Sequence, residues 1–113
     1  MKLNTETQGN VTILSLEGNL LGEAYYQPMV ELVREEVEAG RKHFVLDLTE
    51  LKYVNSTGLG GMITMMTKAR NAGGEVILIH IPDAMRKLLE MTKLDKIFVE
   101  AENLDAAMSK LQA

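Results

Sequence analysis

Cysteine is absent from the 113 residues, so this chain holds no disulfide, thiolate nucleophile or cysteine-bound zinc. Tryptophan is absent as well, and aromatics make up only 4%, which leaves little on which the bases of a single strand could stack. Positive charge is in short supply. Twelve Lys and Arg stand against 16 Asp and Glu, for a net charge of −4. The densest basic clusters are single pairs, Arg41-Lys42 and Arg86-Lys87, whereas binding along a phosphate backbone needs a basic stripe. Direct nucleic-acid binding is therefore not expected. No apolar run approaches the ~20 residues that span a bilayer, and the opening "MKLNTETQG" lacks the apolar centre of a secretory signal. The expectation is a cytoplasmic protein with no membrane insertion. With two His and scattered carboxylates, no metal-ligand spacing emerges, and no cofactor motif is present.

The chain does have apolar mass. Hydrophobic residues make up 46% of it, and a chain of this length buries roughly two-thirds of its unfolded surface. Without repeats or linker-like stretches, residues 1–113 read as one domain. "MKLNTET" and "VTILSLEG" flank the turn signal "QGN" and predict an antiparallel hairpin. "GNLLGEAY" reads as a connection. Tyr26, Met29, Val30, Val33 and Val37 form a helical stripe, with Pro28 placed in the first turn and Gly40 just past the end. The acidic run "EEVE" at 35–38 fits the solvated side of that helix.

"HFVLDLT" at 43–49 predicts a strand, and Leu59, Met62, Ile63, Met66 and Ala69 predict a second helix. "EVILIHI" at 75–81 is apolar throughout its centre, as in strands covered on both faces. A third helix opens at Pro82-Asp83, "KIFVE" is a short last strand, and Leu104, Met108 and Leu111 mark a terminal helix. This alternation predicts an α/β fold, with helices packed on a mostly parallel sheet of four to five strands.

The chemistry-bearing stretch is "YVNSTGLGG", residues 53–61. Asn, Ser and Thr are favoured helix caps, so one reading is structural: a cap worth about 1 kcal/mol. The other starts from the same helix end, where roughly half a positive charge and free N–H groups favour an anion. A serine exposed there can accept a phosphoryl group that adds about −1.5 to −2 charge. The domain would keep its fold, while a partner docked over that surface would be repelled. A hydrolase could be imagined from Ser56, His80 and Asp83, but the nucleophile elbow G-x-S-x-G is missing, since Val54 stands two before Ser56. "GLGG" is no phosphate-binding loop, because no Lys follows it. Met62, Met65 and Met66 read as core filler, with an adaptable docking strip behind Ser56 as the alternative.

"FVLDLTE", "LKYVNSTGLGG" and "ARNAGGEVILIHIPDAMRKLLEMTKLDKIF" together resemble the STAS domain family, and within it the anti-sigma-factor antagonists of bacterial partner-switching systems. The resemblance runs from the opening hairpin to the last helix. It implies that Ser56 is the phosphoacceptor, with Thr57 beside it as the second candidate. It implies no catalytic residue, cofactor or metal. The implied partners are a GHKL-type serine kinase that doubles as anti-sigma factor, sequestered by the unphosphorylated protein, and a PP2C-type phosphatase that resets the switch. Asn19, Leu20, Leu21, Gly22 and Glu23, with Asn55, Ser56, Thr57, Gly58, Leu59 and Met62, form the expected docking surface. A monomer is the default expectation for the free protein.

Three positions depart from the family pattern. Asn55 stands where Asp is usual. The loop Gly18-Asn19-Leu20-Leu21-Gly22 has lost its acidic residues. Lys93 replaces a common Gly. These departures keep a second expectation open, that of an unphosphorylated STAS adaptor in a transport, lipid-trafficking or signalling-scaffold complex.

Overall fold

The computed structural model describes residues 2–112. Its elements in chain order are β1 (Lys2–Gln8), β2 (Val11–Leu20), α1 (Glu23–Glu38), β3 (His43–Val54), α2 (Ser56–Asn71), β4 (Glu75–Ile79), α3 (Asp83–Thr92), β5 (Val99–Ala101) and α4 (Leu104–Gln112). The sheet order is β1-β2-β3-β4-β5. β1 and β2 form the antiparallel hairpin, and every later neighbour pairs in parallel. Each crossover steps to the next strand in the same direction. Right-handed connections therefore put α1, α2 and α3 on one face.

The strand periodicity decides the two cores. Leu14, Leu16, Phe44, Leu46, Leu48, Val76 and Leu78 point toward the three helices, meeting Met29, Val33, Leu59, Met62, Met65, Met85 and Leu89. The alternate residues Val11, Ile13, Val45, Ile77 and Ile79 point to the other face, where α4 brings Ala107, Leu104, Met108 and Leu111. β4 is covered on both sides, which accounts for its unbroken apolar run. The predicted class, a mostly parallel α/β sheet opened by an antiparallel hairpin, is the observed one.

Several boundaries differ from expectation. The segment read as a connection divides between two elements: Gly18–Leu20 extends β2, and Glu23–Tyr25 already belongs to α1. Gly18 takes a φ of 100°, and register shifts between Ser15 and Glu17 and between Gly18 and Asn19 let the pairing continue to Leu20 and Val54. β3 is longer than "HFVLDLT", running to Val54. Because α1 begins at Glu23, Pro28 is its sixth residue and not part of the first turn. Its missing N–H leaves one carbonyl of the exposed N-terminal stretch to solvent.

β4 ends at Ile79, not Ile81, because His80 turns the chain with a φ of 57°. β5 starts at Val99, while Phe98, assigned to that strand from sequence, is buried in the core beneath the helices. Lys93, where the resemblance leads one to expect Gly, caps α3 in the left-handed conformation with φ 61°, a backbone state that favours glycine.

Candidate functional site

The carboxyl ends of β2 and β3 meet the amino end of α2, and one side chain organises the junction. Asn55 is the N-cap. Its Oδ1 accepts from the Gly58 N–H at 2.9 Å, and its Nδ2 donates to the Leu21 carbonyl at 2.8 Å. Its own N–H donates to the Leu20 carbonyl at 3.3 Å, and its carbonyl accepts from the Leu59 N–H at 2.9 Å. The amide thus uses both ends, the oxygen on the helix and the nitrogen on the loop. An aspartate could cap the helix but has no proton to give Leu21.

Ser56 and Thr57 are therefore the first two helical residues, not caps, and both are exposed. Their backbone N–H groups belong to the first turn, where no carbonyl four residues back lies inside the helix. No acidic residue occupies that first turn, while Lys68 and Arg70 lie in the last. The partial positive charge at the Ser56 end is left without a counter-charge of its own, and the negative end has one. Ser56 is therefore a hydroxyl in solvent at a helix end suited to an added anion.

Gly58 explains how tightly the corner is closed. A Cβ on it would lie 2.1 Å from the Leu20 carbonyl oxygen and 2.8 Å from its carbon. Glycine is needed here because the helix passes against the β2 backbone. Asn55→Ala removes the cap and the tie to Leu21 together. The expected cost is about 1–2 kcal/mol, read by urea denaturation, with faster amide exchange at residues 20–22.

The residues expected to form the docking surface do not all reach it. Leu21 is 38% exposed, Glu23 is exposed, and Asn19 and Gly22 are half-buried. Leu20 at 0%, Leu59 at 1% and Met62 at 1% are core residues. Leu20 is the last residue of β2, and Leu59 and Met62 lie on the inner stripe of α2, so their side chains offer no surface. Gly58 is buried as well. The methionine strip is likewise internal, since Met65 and Met66 join Met62 in the core.

Sequence reasoning missed two aromatic side chains. Tyr53 is 64% exposed at the end of β3, and Tyr25 is 40% exposed on the first turn of α1. The register of β3 against β2 skips a residue between the Leu51 and Tyr53 pairings, and such a bulge re-aims the side chains beside it. Nothing in the sequence signals a bulge. Tyr53 falls inside the quoted stretch, however, and a tyrosine three residues before a candidate acceptor was visible there.

His80 and Asp83 are not joined to Ser56 by a hydrogen bond among the described residues. His80 instead borders a hollow of about 510 Å³ with Arg86, Glu100 and Lys110. Arg86 there holds Glu100 through two bonds of 3.0 and 2.6 Å. That pairing raises the guanidinium pKa above its ordinary value. Lys110 Nζ donates to the Glu100 carbonyl at 2.9 Å.

This fold, an antiparallel hairpin leading into parallel β-α units, has known counterparts. The chain belongs to the STAS domain family, whose sequence model matches residues 2–107. It is 33% identical over 89 residues to the anti-sigma-B factor antagonist of Listeria monocytogenes, covering 77% of this chain and 76% of that one. It is 27% identical over 114 residues to the anti-sigma F factor antagonist of Paenibacillus polymyxa, covering 99% and 96%. Among solved structures, an anti-sigma factor antagonist from Mycobacterium paratuberculosis shares the fold with a TM-score of 0.82 at 20% identity, covering 99% and 94%. Among the described residues, no helix is long and apolar enough to cross a membrane.

Proposed function

We propose that this chain is an anti-sigma-factor antagonist working in the cytoplasm as a one-domain binding module. It binds a GHKL-type serine kinase that is also the anti-sigma factor, and it releases that kinase when Ser56 is phosphorylated. A PP2C-type phosphatase restores the binding form. The observation that carries this reading is Ser56 itself: exposed, first in α2, and free of any capping duty because Asn55 performs it. Family membership and the names of the relatives support the same role. A phosphate at Ser56 would lie at the positive end of a helix without acids in its first turn, so the modification is compatible with a folded domain. Under this reading, the exposed Leu21, bonded to Asn55, and Tyr53, at the end of β3, supply apolar contact area.

The test is intact-mass measurement after incubation with ATP and each GHKL-type serine kinase of the host. A single added phosphate is expected on the wild type and none on Ser56→Ala. Phosphorylation that persists in Ser56→Ala but disappears in Thr57→Ala would move the acceptor by one residue. Stable kinase binding with no phosphate transferred would overturn the switch in favour of a constitutive adaptor.

A further inference from the structure

β1 ends the sheet, and nothing pairs with its outer edge among the described residues. It is seven residues long, against three for β5 at the opposite edge. It contains no Pro or Gly, and Thr5 and Thr7 favour strand. An open edge of this length is a template for another strand.

Its charges are placed unevenly. Lys2, Asn4 and Glu6 share one face, opposite Glu17, Ser15 and Ile13 of β2, while Leu3 and Thr5 share the other with Leu16 and Leu14. Glu6 therefore faces an apolar residue across the hairpin. Lys2, four residues away on a strand rising about 3.3 Å per residue, is roughly 13 Å off and cannot reach it.

We propose that the outer edge of β1 is a self-association surface. Two copies of this chain would pair edge to edge, antiparallel, about a twofold axis at Asn4, so that Lys2 of each copy meets Glu6 of the other. The register follows from parity and charge. A twofold axis perpendicular to the sheet keeps each face continuous, so residues directly opposite must come from the same face. Pairing centred on Asn4 sets Lys2 against Glu6 twice. Centring on Thr5 sets Lys2 against Gln8 and forms no ion pair. Centring on Glu6 sets two carboxylates against each other, which is unfavourable.

On the helix-bearing face, the Asn4 register lays Leu3 against Thr5 of the second copy. Leu3 borders a hollow of about 300 Å³ with Ala24, Tyr25 and Pro28, so the association would also cover apolar surface that one copy leaves open. A short strand pair with two exposed ion pairs makes a weak dimer, sensitive to salt.

Sedimentation equilibrium from low-micromolar to near-millimolar concentration tests this. The wild type is expected to dimerise, less so in high salt. Glu6→Lys and Lys2→Glu should each weaken self-association at least about tenfold, because each replaces two attractive pairs with two repulsive ones. Mixed together, the two variants should pair with each other, since both cross-strand contacts become Lys against Glu again. A wild type that stays monomeric, a Glu6→Lys variant that dimerises as the wild type does, or a mixture that fails to associate would each overturn the proposal. Thermal midpoints taken at dilutions where the wild type is monomeric separate association from folding: Glu6→Lys, opposite Ile13 in its own hairpin, should leave the midpoint unchanged, whereas Lys2→Glu, opposite Glu17, should lower it slightly.

Discussion

Gly58→Ala is expected to lower stability by about 2–4 kcal/mol and to open the corner that presents Ser56. The added methyl would lie 2.1 Å from the Leu20 carbonyl oxygen. That neighbour is backbone, so no side-chain rotation relieves the overlap. Either α2 lifts from the sheet or the end of β2 shifts. A shift of β2 draws Leu20 from the core, where it is fully buried, and stretches the 3.3 Å bond from the Asn55 N–H to its carbonyl.

Gly60→Ala is the matched control. It is in the same helix, but a Cβ there meets nothing within 4 Å. It should gain about 0.5–1 kcal/mol from the lower chain entropy of the unfolded state. Urea midpoints at unchanged m-value measure both. Similar effects from the two substitutions would mean that helix propensity, not the approach of α2 to β2, governs Gly58.

That close approach marks where the sequence stopped being informative. The alternation of Phe44, Leu46 and Leu48 with Val45, and the spacing of Leu59, Met62 and Met66, carried the fold, because burial on a defined face forces a period on the residues. The end of β2 was not legible. Gly18-Asn19-Leu20 has a glycine and an asparagine where a strand should have β-formers, and it takes a φ of 100° at Gly18 and a residue skipped on β3 to carry the pairing through to Leu20. Without that skipped residue, the sequence reads Leu20 as part of a docking loop and gives Tyr53 no role.

At the site itself, Asn, Ser and Thr were interchangeable as caps on paper. The structure separates them because one amide can bond Gly58 and Leu21 at once. A hydroxyl at Ser56 has no such geometry. The pattern of residues 53–61 located the corner, the resemblance to the family supplied its partners, and the hydrogen bonds divided the labour within it.

Ser56→Asp is expected to abolish partner binding while leaving the domain folded. The loss should exceed a hundredfold in affinity, the equivalent of about 3 kcal/mol, because a carboxylate buried under a docked protein without a counter-charge costs several kcal/mol. The stability of the free domain should move the other way. An acid in the first turn of α2, which has none, gains about 0.3–1 kcal/mol from the helix dipole. Ser56→Ala separates charge from hydroxyl. Asn55 holds the cap, so this variant should bind the partner as the wild type does and stay within about 0.5 kcal/mol of it in stability.

Salt distinguishes the two effects of the aspartate. The gain in stability acts between exposed groups and should fade as ionic strength rises, whereas the loss of partner comes from desolvation and should persist. Titration calorimetry against the proposed kinase partner and urea melts at low and high salt measure the pair. A Ser56→Asp protein that still binds would mean that the partner does not cover this helix end. One that unfolds would mean that the corner cannot hold the charge which the switch requires of it.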